Sequence, residues 1–176
     1  RVKNFMNYQI MDAMQEYEPD FDQMLFYLPL AGSAFKKIYY DEIMQRAVSK
    51  FVPADDIVVP YTATSLDDCE TIIHKVRVRK GRDEKMYTLL ECHVSVDLEG
   101  FEDLGEDETP TGIKLPYIVT LEEGTRKILS IRRNYEQQDM MKKKINYFVH
   151  FKFLPGLGFY GFGLTHMIGG LSRTAT

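Results

Sequence analysis

The sequence predicts an α+β fold with N-terminal helices, a largely antiparallel β middle of about six to eight strands, and a C-terminal helix start. Two observations carry this prediction. Apolar residues recur at helical spacing near the N-terminus and again from Leu164 onward. Between these segments, apolar and polar residues alternate with the period of two that is typical of strands. We expect residues 1–176 to form a single domain with one hydrophobic core.

Two helices are predicted at the N-terminus. Apolar residues at helical spacing favour an amphipathic helix over residues 2–15. Pro19 and Asp20 are expected to break this helix, and Asp20 to cap a second short helix that runs to Leu28 and is ended by Pro29 and Gly32.

Alternation and turn residues place the strands. The predicted strands are residues 35–40, 47–52, a short edge strand between Pro53 and Pro60, 71–79, 86–98, 117–121, 126–132 and 147–153. Only residues 80–85 separate two of them, so 71–79 and 86–98 should form a hairpin. The sequence changes character abruptly there, which indicates a deletion or an absent loop near 80–81. In the turn after residue 121, we expect Gly124 to supply a positive φ angle.

Composition and charge set broad bounds on function. The apolar and charged fractions of 44% and 27% are typical of a globular protein. A net charge of −4 gives no overall attraction to nucleic acid or to acidic membranes, and the sequence contains no apolar run long enough to span a bilayer. The two cysteines are too few for a disulfide framework. The first residues carry neither a signal peptide nor an initiator Met, as expected of a trimmed piece.

Residues 147–172, YFVHFKFLPGLGFYGFGLTHMIGGLS, contain the most distinctive pattern. A glycine-rich turn between a strand and a helix can bind phosphate through backbone N–H groups. The spacing here matches neither the dinucleotide-binding nor the P-loop pattern, and no Lys follows. The glycines instead alternate with Phe and Tyr, which favours close packing of backbone against aromatic rings. We therefore predict a structural turn formed by Gly156, Gly158, Gly161 and Gly163.

Other side chains could carry chemistry, but each has a simpler interpretation. A Cys92–His93 nucleophile pair is conceivable, yet neighbours in a strand point to opposite faces, so the two side chains cannot meet. The histidines are too scattered to predict a metal site; they are His74, His93, His150 and His166. We interpret a cluster of acidic residues as a solvated loop. The cluster comprises Glu102, Asp103, Glu106, Asp107 and Glu108. We predict no catalytic residue, no metal and no cofactor.

Three basic clusters with neighbouring aromatic residues are candidates for contact with a nucleic-acid backbone. They are Arg77 with Arg79, Lys80 and Arg82; Arg126 with Arg132 and Arg133; and Lys142 with Lys143 and Lys144. Similar clusters of surface lysines and arginines also occur on proteins that do not bind nucleic acid, so the clusters alone do not predict binding. Of the three clusters, Lys142, Lys143 and Lys144 are our candidate contact residues.

Five separate blocks of this sequence resemble the portal proteins of short-tailed (podovirus-type) bacteriophages. The blocks are FDQMLFYLPLAGSAFKKIYYD, AVSKFVPADDIVVPYTATSL, LLECHVSVDLEGFED, TGIKLPYIVTLEEGTRKILSIRRNY and the segment 147–172 quoted above. Members of this family are several-fold longer and usually carry a longer insertion near residues 80–81. The resemblance therefore implies that the chain is a fragment, by its α+β content part of the wing region on the outside of the ring.

The resemblance also implies a function without enzymatic activity. Portal subunits form a ring, typically a dodecamer, at one capsid vertex, through which DNA is packaged and ejected and to which the tail attaches. The implied partners are other copies of the subunit, the terminase motor, the major capsid and scaffolding proteins, the head–tail adaptor proteins and double-stranded DNA, but no membrane. The implied location is the virion, after assembly in the host bacterial cytoplasm.

Two rival functions remain at this stage. One is a stand-alone nucleic-acid-binding module, whose basic clusters would converge on one face. The other is a small hydrolase that uses Cys92 or a histidine.

Overall fold

The computed structural model describes residues 1–79, 86–104, 107 and 109–174. Within them, the backbone forms three α-helices and eight strands in two antiparallel sheets, which confirms the predicted α+β class and strand number. The elements are α1 (Val2–Tyr8), α2 (Tyr17–Ala31), β1 (Ser33–Asp41), β2 (Arg46–Pro53), β3 (Ile57–Val58), β4 (Ile72–Arg79), β5 (Met86–Val96), β6 (Leu115–Glu122), β7 (Ile128–Arg133), β8 (Phe148–Lys152) and α3 (Leu164–Thr174).

The chain divides into two compact units. The first unit contains Arg1–Asp55, Ala63–Asp67 and Asn146–Thr176, and the second contains Asp56–Thr62 and Asp68–Ile145. The expectation of a single domain over the whole chain stays a prediction.

The first unit is built on a three-stranded sheet in the order β2–β1–β8. Phe35 of β1 lies opposite Val52 of β2 on one side and His150 of β8 on the other, and its side chain is fully buried. The strands predicted at residues 35–40 and 47–52 are confirmed, and they pair as an antiparallel hairpin. Its turn is fixed by Asp41, whose carboxylate accepts hydrogen bonds from the backbone N–H groups of Ile43 and Met44.

Helix α2 is longer than the sequence predicts. The prediction that Pro19 and Asp20 break the helix is wrong, because Pro19 lies in the first turn of α2, where a backbone N–H has no carbonyl partner within the helix. Pro29 does not end the helix either, since it is accommodated in the last turn. The helix ends at a left-handed Gly32 (φ 82°), which is a common helix terminus. At the N-terminus, α1 continues into a π-helical turn at Gln9–Ala13, close to the predicted end at residue 15.

The second unit is built on a five-stranded sheet in the order β3–β4–β5–β6–β7. The predicted β4–β5 hairpin and the short edge strand β3 are both confirmed, and the join at residues 80–85 lies outside the described residues. The expectation about Gly124 is wrong: the positive φ angle in the β6–β7 turn belongs to Arg126 (57°). Tyr117 and Ile118 of β6 are at the centre of the core of this unit.

Most loops lie where the sequence predicts them. Residues 97–114 contain turns at Gly100 and Gly112, both with positive φ, and residues 134–147 contain two turns without a helix. Among the helices in the described part of the chain, none is long and apolar enough to cross a membrane.

Candidate functional site

Residues 153–163, here called the C-terminal loop, lie against the junction of α2 and β1. Two backbone hydrogen bonds between Leu154 and Phe162 close the loop (3.3 and 2.8 Å). A third, from the N–H of Phe153 to the carbonyl oxygen of Gly32 (3.0 Å), fastens it to the end of α2.

The four glycines predicted to form a structural turn all lie in this loop, but they have different roles. A Cβ atom added to Gly161 would lie 2.5 Å from the carbonyl oxygen of Gly32, and one added to Gly163 would overlap the backbone at the end of α2. Gly156 is similarly tight, whereas a Cβ on Gly158 would meet no atom within 4 Å. Gly161 and Gly163 therefore permit close approach of two backbones, and their φ angles are not positive.

Several backbone N–H groups of the loop donate hydrogen bonds to acceptors within the protein. The N–H of Gly161 donates to Oγ of Ser33 (2.8 Å), and the N–H of Gly163 donates to Nδ1 of His166 (3.1 Å). The N–H of Phe162 donates to a backbone carbonyl. A phosphate cradle needs several such groups directed at one point. The arrangement therefore favours a packed turn over an anion site, in line with the sequence interpretation.

A stack of three rings connects the loop to the sheet. The imidazole of His150 lies parallel to Phe35 (ring centroids 4.3 Å apart) and to Phe159 of the loop (4.9 Å). Tyr160 meets the same imidazole edge-on. Burial, with a smaller contribution from the charge of Lys152, lowers the pKa of His150 to about 4, so the imidazole is neutral at pH 7.

Ser33 is the residue in this region that the sequence analysis missed. Its Oγ accepts the Gly161 hydrogen bond and lies 3.1 Å from Nε2 of His150, an arrangement superficially like a nucleophile and its base. Ser33 is, however, fully buried, so no substrate can reach its hydroxyl. No local sequence signal distinguishes this serine, because its partners are more than a hundred residues away.

The second unit contains a buried His–Glu–His group. Glu91 of β5 lies directly opposite His74 of β4 and two residues before His93, so the three side chains share one face of the sheet. Its carboxylate oxygens are 3.0 Å from Nε2 of His93 and 3.6 Å from Nδ1 of His74. The hairpin register, which the sequence predicts, brings together two of the four histidines that are scattered along the chain.

Cys92 does not join these histidines. Its side chain lies on the opposite face of β5 from that of His93, as strand geometry predicts, and is buried against the backbone. Burial, followed by the charge of Glu91, raises the pKa of the Cys92 thiol. A protonated, buried thiol is a poor nucleophile, which argues against the hydrolase hypothesis.

Two of the three candidate DNA-contact lysines bond within the protein. Lys142 forms an ion pair with Asp103, and the Nζ of Lys144 donates to the carbonyl oxygen of Cys69 (2.7 Å). Lys143 is exposed, and the bond that it makes to Asp139 is through its backbone N–H. The ion pair with Lys142, and then a bond from Thr111, lower the pKa of Asp103.

Some residues of the other charge clusters also form ion pairs or hydrogen bonds within the protein. Arg77 pairs with Asp56 (3.2 Å), while Lys80 and Arg82 lie outside the described residues. In the acidic group, Glu102 accepts a bond from a backbone N–H, and Glu106 and Glu108 lie outside the described residues. Arg126, Arg132 and Arg133 are exposed on the β6–β7 hairpin.

A surface pocket of about 260 Å³ lies in the first unit, beside the β1–β2 hairpin. Glu16 and Arg46 form a two-pronged ion pair across it (2.6 and 2.9 Å), and this bond lowers the pKa of Glu16. Asp20 and Asp41 also line the pocket, but both carboxylates already accept backbone hydrogen bonds. Four charged groups that line the pocket are therefore already engaged within the protein, and Lys50 lines it as well.

Metal ligation finds no support in the geometry. Across residues 1–79, 86–104, 107 and 109–174, no group of three or more His, Cys, Asp or Glu side chains is arranged to hold an ion. Comparison with known proteins adds no identity, since neither a protein-family model nor a curated protein matches the chain.

Proposed function

We propose that this chain is a structural segment of a phage portal subunit, without enzymatic activity. The observation that carries the proposal is the resemblance of five separate sequence blocks to the portal proteins of short-tailed phages. In this structure the five blocks cover residues 21–41, 47–66, 89–103, 111–135 and 147–172. They supply α2 and strands from both sheets, so the resemblance extends over both compact units.

The character of the fold supports a role based on rigidity and surfaces. The most distinctive segment, the C-terminal loop, uses its glycines for backbone contact and its backbone donors for internal bonds. Ser33, Cys92 and the His74–Glu91–His93 group are buried, away from any substrate. A ring subunit acts through such rigid units and through head-to-tail contacts that repeat until the ring closes.

The proposal includes the partners and location that the resemblance implies. The whole subunit would form a ring, typically a dodecamer, at one capsid vertex of the virion, after assembly in the host bacterial cytoplasm. It would bind the terminase motor, the major capsid and scaffolding proteins and the head–tail adaptors, while double-stranded DNA passes through the channel. The present segment would belong to the wing region.

The decisive experiment is the particle mass and symmetry of the complete protein that contains this chain. We expect electron microscopy and light scattering to show a closed ring that incorporates into procapsids. The 176-residue chain alone should be monomeric. A complete protein that remains monomeric in all conditions and does not bind procapsids would contradict the proposal.

The stand-alone nucleic-acid-binding module is the second candidate. Its support is the exposed basic group on the β6–β7 hairpin: Arg126, Lys127, Arg132 and Arg133. Tight binding of duplex DNA by the isolated chain, with an affinity that falls steeply as salt rises, would favour this alternative.

A further inference from the structure

We propose that His150 and Ser33 form a proton-sensitive latch that holds the C-terminal loop against the sheet and releases it in acid. The inference is independent of the portal proposal, because it rests on contacts within the first unit. Three observations carry it: the double role of the Ser33 hydroxyl, the ring stack around His150, and the difference in anchoring between the two sides of that stack.

The Ser33 hydroxyl connects the loop to the imidazole. Its oxygen accepts the N–H of Gly161 (2.8 Å) and lies 3.1 Å from Nε2 of His150. In the neutral tautomer with the proton on Nδ1, the hydroxyl donates to Nε2. A protonated imidazole instead donates from Nε2 to the Ser33 oxygen, so the buried hydroxyl proton loses its acceptor. Protonation therefore changes the bonding of the hydroxyl that fastens the loop.

The charged groups near His150 do not favour a cation. Residues at alternate positions along β1, β2 and β8 share the face of His150, and the lysines among them are Lys37, Lys50 and Lys152. Lys152 also donates from Nζ to the loop carbonyl of Gly158 (3.4 Å). Tyr160 is the titratable residue that the loop places beside the ring. The carboxylate on this face of β1 is Asp41, six residues along the strand from Phe35 and hence roughly 20 Å away.

The two rings that stack on His150, Phe35 and Phe159, are not equally anchored, although they also stack on each other (6.0 Å). Phe35 is fully buried and belongs to the central strand β1, which is hydrogen-bonded on both sides. Phe159 belongs to the loop, which has no strand partner beyond the Leu154–Phe162 bridge. A charged imidazole is stabilised by hydration, and displacement of Phe159 would expose more of the ring of His150 to water. The loop, rather than the sheet, is therefore the part that moves.

The size of the expected pH effect on loop opening follows from the pKa of His150 in the closed and in the open loop. The pKa of His150 is about 4 with the loop closed, and an exposed histidine has a pKa near 6.5. The contribution of His150 to the stability of the closed loop is fully present above pH 6.5 and is lost as the pH falls towards 4. We expect the equilibrium constant for loop opening to rise by roughly tenfold for each pH unit between about 6 and 4.5.

The test is amide hydrogen exchange of Gly161 and Phe162 between pH 7 and 4.5, corrected for the intrinsic pH dependence of exchange. The wild-type chain should show the steep increase in opening. His150→Asn, which keeps a polar side chain without a proton equilibrium, should show an opening constant that no longer depends on pH. Tyr160→Phe is the matched control, because it keeps the ring beside His150 and changes no group that titrates between pH 7 and 4.5; it should retain the wild-type slope.

Two outcomes would overturn the latch: the same slope in His150→Asn as in wild type, or loss of the slope in Tyr160→Phe alone. If His150→Asn does not fold, the wild-type protein itself decides. The His150 ring resonances should titrate below pH 5, together with the Gly161 amide. Titration near pH 6.5 with no change at Gly161 would also overturn the proposal.

Discussion

Lys36 shows how strongly a single buried charge can affect this fold. Its side chain is 4% exposed, and its Nζ lies 4.3 Å from the ring centre of Tyr17 and 5.3 Å from that of Phe21. Burial lowers the pKa of the Lys36 ammonium, and the charge of Asp20 offsets only part of this effect. Cation–π contact therefore compensates incompletely for the lost hydration.

We expect Lys36→Met to stabilise the protein by about 1–2 kcal/mol at pH 7, because it removes a buried charge and keeps the side-chain volume. Since the folded-state pKa is lowered, the unfavourable contribution of Lys36 is present at neutral pH and disappears as pH rises towards about 10.4. Urea unfolding at pH 7 and at pH 10 measures both effects. Lys37→Met, a neighbour on the other face, is the control; a destabilised Lys36→Met protein would show that the ring contacts outweigh the desolvation.

The glycines of the C-terminal loop make a second prediction at the residue scale. Gly161→Ala should destabilise the protein by about 2–3 kcal/mol, because its Cβ would lie 2.5 Å from one backbone oxygen and 2.7 Å from another. Gly158→Ala, in the same loop with no atom within 4 Å, should change the free energy of unfolding by less than about 0.5 kcal/mol. Equal effects in a denaturant titration would mean that the loop adjusts freely around either position.

At the scale of elements, Asp20 links α2 to the outer edge of the first sheet. Its carboxylate accepts a hydrogen bond from the backbone N–H of Phe51 in edge strand β2 (2.6 Å). A charged group at this position satisfies an edge donor and also discourages pairing with another strand.

Asp20→Ala should cost about 2 kcal/mol of stability, since it leaves the Phe51 donor without its charged acceptor. Asp22→Ala, on an exposed position of the same helix, should be nearly neutral. Thermal unfolding of both variants provides the measurement. In a Lys36→Met background the cost of Asp20→Ala should be smaller, because the favourable interaction of Asp20 with Lys36 is already absent. Additive costs would contradict this coupling.

The strands could be predicted because apolar and polar residues alternate within each strand, and this alternation is visible in the sequence. The alternation in β4 and β5 and the short join between them were enough to predict the hairpin, and the register then brings Glu91 between His74 and His93. Helix α2 was predicted too short because Pro19 was treated as a helix breaker, although a proline in the first turn removes no helical hydrogen bond. The expectation about Gly124 was wrong because the turn is closed by bonds from the N–H of Arg126 to the carbonyl of Glu122 and from the N–H of Glu122 to that of Lys127, with Arg126 in the left-handed conformation.

The loop site was only half predictable. The aromatic and glycine pattern of residues 154–163 indicated a packed turn, and the structure places the backbone contacts there. What the turn packs against was not readable, because Gly32 and Ser33 lie more than a hundred positions earlier and follow a helix that the sequence ended too soon. The division into two units built from interleaved segments also has no local signal.

At the scale of the whole molecule, charge argues for weak binding of nucleic acid. The net charge is −4, and internal bonds engage Lys142 and Lys144. In the described part of the three basic clusters, the exposed side chains include Arg79, Lys143 and the group on the β6–β7 hairpin. A phosphate contact requires a cation that can leave its internal partner, and each such exchange lowers the net gain.

The isolated chain should therefore bind a 20-base-pair duplex no more tightly than about 10 μM at 150 mM salt. Lys143→Ala should reduce the slope of log affinity against log salt by about 1, the value for one lost phosphate contact. Lys142→Ala and Lys144→Ala should change that slope less, and Lys3→Ala, on an exposed part of α1, serves as a surface control. Fluorescence anisotropy over a salt series distinguishes the portal segment from the nucleic-acid-binding module. Submicromolar affinity with a large salt slope would favour the module, because we expect no tight DNA binding from a wing segment that lies outside the DNA channel.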